Sequence, residues 1–344
     1  VAPQEVGKVV FGLQLHVERH RGRIAAVSIG SRRPVIVGGD DGLPYYHFES
    51  KTPSRPLVAV EVPEHRSTWP DVLVRKMGRA AAAGHGARAR WAADGGASLV
   101  CVRLAEREIT DGQAVDPANA LRAVEDVLRS VEVPVMVAGT GHPDTDNAIL
   151  PAVARRFQGE NLVLGSATQD NYADLAKACV DFGHVIIAES PIDINICKQL
   201  NILLSEAGLP LDRILIDPTT GGLGYGIEYT YSIMEKARLA ALSGDRMLAC
   251  PVVCFVGKET WKLKEASTAG PETSDWGNPD RRGTLWESVA AGALLAAGAH
   301  ILVMRDLESA ERVRTHIDTL WRHAPRQEDA KGPVTGGEHT EAGE

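Results

Sequence analysis

Apolar residues fall along the chain in short, nearly unbroken runs separated by stretches of helical periodicity. Eight runs stand out: Leu57–Val62 (LVAVEV), Leu99–Leu104 (LVCVRL), Val133–Ala138 (VPVMVA), Asn161–Gly165 (NLVLG), His184–Ala188 (HVIIA), Arg213–Asp217 (RILID), Ala249–Val256 (ACPVVCFV) and Ala299–Met304 (AHILVM). Strands covered on both faces read this way. Helical patterns lie between them at Asn119–Arg129, Asp144–Phe157, Tyr172–Phe182, Asp193–Glu206, Glu228–Ser243 and Gly283–Ala297. The strand starts are 42, 34, 28, 23, 29, 36 and 50 residues apart, and each interval has room for a crossover helix. Eight β/α units predict an α/β fold, a (β/α)8 TIM barrel. An open doubly wound sheet is the alternative, because periodicity does not encode closure.

The barrel is expected to span residues 57–323. Residues 1–56 form an N-terminal extension in which GLQLHVE, RIAAVSIG and PVIVGGD suggest a hairpin or small sheet. The tail, residues 324–344, ends in PRQEDAKGPVTGGEHTEAGE and is expected to be disordered for want of large apolar residues. The Ala-, Gly- and Arg-rich stretch Arg79–Ala93 reads as a solvated loop followed by a helix, not as an RNA-binding patch.

Composition narrows the function classes. The 344 residues carry 37 Lys and Arg against 45 Asp and Glu, a net charge of −8, which argues against broad nucleic-acid binding. No apolar run approaches the roughly 20 residues needed to span a bilayer, and none precedes a cleavage site at the N-terminus, so a cytoplasmic protein is expected. Cys101, Cys179, Cys197, Cys250 and Cys254 are odd in number and sit mostly in apolar runs, as reduced core thiols do. On a strand, Cys250 and Cys254 would lie about 13 Å apart, too far for one metal ion. The histidines show no H-x-x-x-H or H-E-x-x-H spacing, and no Ser–His–Asp pattern is recognisable. No metal ligands and no catalytic nucleophile are assigned.

In such barrels working residues sit where strands end and loops begin. The sixth strand runs into Asp217, Pro218, Thr219, Thr220, Gly221, Gly222, Leu223, Gly224, Tyr225 and Gly226. Pro218 stops the strand, and the glycines let main-chain amides approach a ligand. The fifth strand leads to Glu189, Ser190, Asp193 and Asn195, the third to Thr140 and the fourth to Asn171. After the seventh, the polar stretch Gly257–Gly283 contains Lys258, Lys264, Glu265, Trp261 and Trp276, has little that reads as core, and suggests an ordered lid or partner surface. Amides, carboxylates and hydroxyls without a paired nucleophile and base suit a large polar ring such as a pterin or corrin, whose chemistry belongs to the cofactor.

DPTTGGLGYGIEYTYSIMEKARLAAL (Asp217–Leu242) resembles the signature region of the small (delta) subunit of the corrinoid iron–sulfur protein of the acetyl-CoA decarbonylase/synthase pathway. VGGDDGLPYYHFESKTPSRPLVAVEV (Val37–Val62), SPIDINICKQLN (Ser190–Asn201), GKETWKLKEAS (Gly257–Ser267) and WGNPDRRGTLWE (Trp276–Glu287) are similar to that family as well. The resemblance runs from about Val37 to Leu307 and implies a TIM barrel paired with a larger subunit that carries a [4Fe–4S] cluster and a cobamide-binding domain. It implies a shared corrinoid (cobamide, cobalt) cofactor, no iron–sulfur cluster in this chain, and a methyltransferase and acetyl-CoA synthase as further partners. Neither nucleic acid nor membrane is an expected partner. The implied role is to shelter the corrinoid while methyl groups pass from methyl-tetrahydrofolate, or its archaeal pterin equivalent, to acetyl-CoA synthase. Thr140, Asn171, Asp193, Asn195, Asp217, Thr219, Thr220, Gly221, Tyr225, Lys264 and Glu265 are the residues expected to line the mouth, bonding corrin amides and excluding water. The alternative is a stand-alone pterin-dependent methyltransferase barrel, in which Asp217 and Asn171 would pair with the pterin edge.

Overall fold

The computed structural model describes residues 18–46, 50, 52–65, 69–104, 117–268 and 270–322. A hairpin comes first, β1 (Ala26–Ile29) paired antiparallel with β2 (Val35–Gly38). Eight parallel strands follow: β3 (Leu57–Pro63), β4 (Leu99–Arg103), β5 (Val135–Ala138), β6 (Val163–Ala167), β7 (Val185–Glu189), β8 (Ile214–Asp217), β9 (Val253–Cys254) and β10 (Ile301–Met304). Their order is β8-β7-β6-β5-β4-β3-β10-β9. A bridge between Ile216 and Val252, with the Ile216 N–H donating to the Pro251 carbonyl at 2.8 Å, joins the two ends. The sheet is therefore a closed barrel, and the open-sheet alternative is set aside.

Helices α1 (Asp71–Met77), α2 (Arg79–Ala82), α3 (His85–Asp94), α4 (Ala118–Ser130), α5 (Pro143–Arg156), α6 (Tyr172–Phe182), α7 (Ile194–Glu206), α8 (Ile227–Leu242), α9 (Val256–Thr260), α10 (Lys264–Ser267), α11 (Pro279–Ala296) and α12 (Leu307–Arg322) occupy the connections. Strand alternation divides the core in two. Residues such as Val58, Val100, Val137, Leu164 and Ile186 pack beneath the helices. Their neighbours Ala59, Leu99, Met136, Val163, Ile187 and Leu215 fill the barrel interior.

The hairpin plugs the end of the barrel where the strands begin. Its buried positions alternate, and Val27, Ile29 and Val37 join the interior cluster. Gly30 N–H donates to the Asn161 carbonyl at 2.9 Å, and the Asn161 amide returns a bond to the Ser28 carbonyl at 2.9 Å. A Cβ on Gly38 would lie 2.1 Å from the Ala25 carbonyl, so only glycine lets the hairpin fold back here. Only the opposite end remains for a ligand.

Three expectations are revised. The seventh strand, expected over Ala249–Val256, shrinks to Val253–Cys254: Pro251 has no N–H for the ladder, and Val256 already begins α9. Arg79–Ala93 is not a loop then a helix but two helices separated by Gly84 at φ 96°. Its Arg88 is buried and donates to the Ala81 and Glu64 carbonyls at 3.0 and 2.9 Å. The stretch after the seventh strand does contribute core, since Trp261 and Ala266 are buried with Trp69, Leu73 and Met77. The run GLQLHVE lies outside the described residues but for its last, and the tail lies wholly outside them. All five cysteines are free and buried. Among the described residues no helix is long and apolar enough to cross a membrane, and no three His, Cys, Asp or Glu side chains gather to hold a metal ion.

Two buried histidines brace the plugged end in the same manner. His184 and His300 each precede a strand, and each accepts at Nδ1 an N–H from the neighbouring strand's approach, Leu162 at 3.1 Å and Val252 at 2.9 Å. Each Nε2 therefore carries the proton, directed at the Ala154 carbonyl (2.9 Å) and the Asp40 carboxylate (2.7 Å). Burial lowers both imidazole pKa values below the usual 6.5. A group depressed in the folded state contributes stability above the unfolded value and loses it as pH falls, by up to about 1.4 kcal/mol per pH unit for each ring. Calorimetry from pH 7.5 to 5.0 should show a falling Tm, with a shallower fall in His184→Gln, whose amide keeps both bonds. An unchanged slope in that variant would refute the assignment.

Candidate functional site

The interior parity carries charged residues into the barrel at its open end. Glu61 continues the inward line of Ala59, Arg103 that of Leu99 and Cys101, Glu189 that of Val185 and Ile187, Asp217 that of Leu215, and Arg305 that of Ile301 and Val303. Five strands thus carry an ionisable side chain at or next to their C-terminal ends, above an apolar interior.

Glu61 is completely buried and holds two guanidinium groups. Arg103 donates to its Oε2 at 3.0 and 3.4 Å, and Arg305 to its Oε1 at 2.8 and 2.5 Å. The charge of both arginines outweighs desolvation and lowers the carboxyl pKa to about 2. Arg103 stacks over Phe255 at 4.8 Å and reaches the Gly139 carbonyl at 3.2 Å, while Arg305 stacks over Trp69 at 5.1 Å. Burial of planar, bidentate arginines against rings is favourable because guanidinium is weakly hydrated.

Glu189 and Asp217 are register partners at the ends of β7 and β8. Desolvation, then the Glu189 charge, drives the Asp217 pKa well above the carboxylate range, with Lys258 opposing. Burial and the neighbouring charge thus favour the protonated form of Asp217, the form that can donate a hydrogen bond.

A second carboxylate orders the eighth-strand loop from outside. Glu287, on the inner face of α11, accepts the Arg305 N–H at 2.6 Å, the Asp306 N–H at 3.2 Å, Trp261 Nε1–H at 3.2 Å and the Ser309 hydroxyl. Burial raises its pKa to about 7 despite these donors. A Cβ on Gly257 would lie 2.6 Å from the Arg305 nitrogen, so glycine is required where the seventh-strand loop passes.

The sixth-strand loop is held just as closely. Thr219 is β-branched yet has φ 58°, a left-handed conformation that costs about 1–3 kcal/mol. Its N–H donates to Asp217 Oδ1 at 3.0 Å, its hydroxyl to the Ser190 carbonyl at 2.6 Å, and its carbonyl accepts from the Thr230 hydroxyl at 2.9 Å. Thr220 accepts the Phe255 N–H at 3.0 Å, and Gly221 N–H donates to Thr230 at 2.8 Å. A Cβ on Gly221 would meet the Gly226 carbonyl at 2.4 Å. Tyr225 is exposed, and its hydroxyl donates to Glu265 at 2.8 Å, linking the sixth and seventh loops across the rim.

The other expected residues divide by role. Thr140 is buried and bound to Asp146 through its N–H (2.7 Å) and hydroxyl (2.9 Å). Asn171 accepts the Thr168 N–H at 2.7 Å and donates to the Ser166 carbonyl at 3.3 Å, so it orders its own turn. Asp193 caps α7 by accepting from Asn195 and Ile196 N–H, and Asn195 is exposed on the first turn. Lys264 is exposed at the start of α10. The structure thus brings Asp217, Thr219, Thr220, Gly221, Tyr225 and Glu265 together, and sets Thr140, Asn171, Asp193 and Asn195 in the turns of neighbouring loops. Glu61, Arg103 and Arg305 escape motif reading. Their signal was an ionisable residue ending an apolar strand on the inward register.

The comparisons agree with this architecture. Residues 26–315 match the family described as CO dehydrogenase/acetyl-CoA synthase delta subunit. The chain is 32% identical over 306 residues to the acetyl-CoA decarbonylase/synthase complex subunit delta 2 of Methanosarcina acetivorans, covering 85% of this chain and 68% of that one. It is 31% identical over 313 residues to the subunit delta of Methanothermobacter thermautotrophicus, covering 89% and 78%. Among solved structures, dihydropteroate synthase from Coxiella burnetii in complex with pteroic acid superposes with TM-score 0.51 at 14% identity, covering 80% of this chain and 98% of that one. The same enzyme from Stenotrophomonas maltophilia gives 0.51 at 14% identity over 79% and 95%. At that identity the likeness is one of fold.

Two variants test the charged layer. Glu61→Gln strands two buried guanidinium groups and should cost about 3–5 kcal/mol in urea unfolding; a loss below 1 kcal/mol would show that the cluster is solvated. For Asp217 the raised folded pKa means stability present at low pH and lost as pH rises through that value. Asp217→Asn keeps the Thr219 bond without the charge, so its Tm at pH 8 should equal or exceed that of the parent; a lower Tm would mean that Asp217 is ionised in the fold.

The match of residues 26–315 to one family, with relatives at 31–32% identity over most of the chain, places this chain in the CO dehydrogenase/acetyl-CoA synthase delta subunit family.

Proposed function

We propose that this chain is the small subunit of a two-subunit corrinoid iron–sulfur methyl carrier. Its barrel mouth covers one face of a cobamide presented by the larger subunit, and the pair moves methyl groups between methyl-tetrahydrofolate or a methyl-tetrahydropterin and acetyl-CoA synthase. The observation that carries this reading is a mouth built to bind without reacting. Its floor is a buried cluster of one carboxylate and two guanidinium groups, each bonded within it, and the Cys101 thiol beside Glu61 is buried with its pKa raised to about 12, so it offers no thiolate nucleophile.

The donor set fits a corrin periphery of amides. Asp217, whose burial favours its protonated form, together with Tyr225, Lys264 and the main chain of the sixth-strand loop, would donate to or accept from those groups. The corrinoid supplies the chemistry, a cobalt centre that exchanges methyl groups. The chain orients the macrocycle against a rigid rim and keeps bulk water from the covered face, where low dielectric strengthens each contact. Thr219 and Thr220 set the rim's shape rather than acting as free hydroxyls, since both are already bonded within it.

A stand-alone pterin methyltransferase would need an Asp and an Asn free to pair with the pterin edge. Asp217 is buried and accepts the Thr219 N–H, and the side chain of Asn171 is engaged at both its oxygen and its nitrogen. That engagement favours the carrier.

Anaerobic purification of the tagged chain with its native partners should yield a visible corrinoid spectrum and a larger cluster-bearing subunit. Tyr225→Phe with Lys264→Ala should lower corrinoid retention severalfold with no change in Tm. A colourless chain that elutes alone, and that by itself transfers methyl from methyl-tetrahydrofolate to free cobalamin, would replace this reading with the methyltransferase.

A further inference from the structure

Beside the mouth, on the flank of the barrel, the outer face of α11 is uncovered. Leu223 of the sixth-strand loop, Trp276, and the α11 positions Arg281, Leu285, Trp286 and Val289 line a groove of about 530 Å³. The spacing Arg281, Leu285, Val289 places these side chains on one helical stripe. Leu285 and Val289 are 47% and 57% exposed and Trp276 is 40% exposed, where the outer stripe of a barrel helix is ordinarily polar. Tyr225 and Tyr229 extend the apolar surface towards the rim at 56% and 62% exposure. A contiguous patch rich in aromatics and arginine has the composition of a protein interface.

Two features specify the occupant. Arg282 donates to the main-chain carbonyls of Glu265, Thr268 and Gly277 and lies 5.4 Å from the Trp276 ring, while Arg281 is exposed. Neither forms an ion pair with a carboxylate among the described residues, and Arg281 sets an exposed positive charge at the groove in a chain of net charge −8. The groove is also continuous with the mouth through Leu223 and Tyr225.

We infer that this groove seats an acidic, apolar segment of the subunit that presents the corrinoid, an assignment that rests on the methyl-carrier reading. Apolar side chains of that segment lie over Leu285 and Val289, and a carboxylate meets Arg281. Docking here, next to the rim, would hold the partner's cofactor over the mouth while leaving the mouth itself free.

The test is the affinity of the purified corrinoid-bearing subunit for this chain and for two variants, Leu285→Glu with Val289→Glu, and Arg281→Glu. These exposed positions should leave Tm unchanged. The apolar double variant should bind on the order of thirtyfold more weakly, the effect of losing one hot-spot residue. Arg281→Glu should bind roughly tenfold more weakly and lose most of the salt dependence. A photo-crosslinker at position 289 should join a peptide in which Asp or Glu flanks apolar residues. Binding by both variants within twofold of the parent, or a crosslink to another copy of this chain or to a segment without carboxylates, overturns the groove assignment. If the variants bind normally and still retain corrinoid, the groove fails and the carrier reading stands. If the parent chain binds no corrinoid-bearing subunit, both fail.

Discussion

A carboxylate buried between two arginines is the constraint around which the open end of this barrel is arranged. Glu61 lies inside the barrel with no access to solvent, and Arg103 and Arg305 reach it from strands on either side of β3. Replacing such a cluster with apolar side chains is often neutral for stability, so its presence is no measure of how stable the fold is. Its consequence is geometric. Each arginine is fixed by two bonds to one carboxylate and by a ring beneath or above it, so the floor of the mouth has little freedom to rearrange.

The loops inherit that rigidity. The peptide of Arg305 is gripped by Glu287, which also takes Trp261 and the start of α12, so the seventh and eighth loops share one buried acceptor. Thr219 tolerates a left-handed backbone because three hydrogen bonds on its N–H, hydroxyl and carbonyl fix it at once. A mouth of this kind suits presenting a fixed surface to a large ligand better than closing upon a small one. α11 links the two surfaces discussed above: its inner face supplies Glu287 to the mouth, and its outer face supplies Leu285 and Val289 to the groove.

The solved structures that superpose on this barrel are dihydropteroate synthases. The shared scaffold explains why the strand ends are the place to look, and it leaves the chemistry to the residues found there. Here Glu61, Arg103 and Arg305 are bonded to one another, and Asn171 is committed to its own turn. The family assignment rests instead on sequence, over 290 residues from 26 to 315.

The sequence by itself determined the eight strands, most of their helices and the sixth-strand loop, because strands buried on both faces must be apolar throughout and a β-to-α turn must break with proline and glycine. It also marked the hairpin, whose alternation at Ala26–Ile29 shows one buried face. Closure of the barrel, the depth to which the hairpin enters it, and the meeting of Glu61, Arg103 and Arg305 were decided only in three dimensions. Each of those charges looks unremarkable at the end of its own strand. Their partnership depends on residues up to 244 positions apart being brought to one layer by strand register. Local periodicity gives the side a residue faces, but which residue stands opposite is a property of the closed sheet. The same limit hid the burial of Trp261, whose polar neighbours in sequence read as surface until α1 and α11 were folded against it.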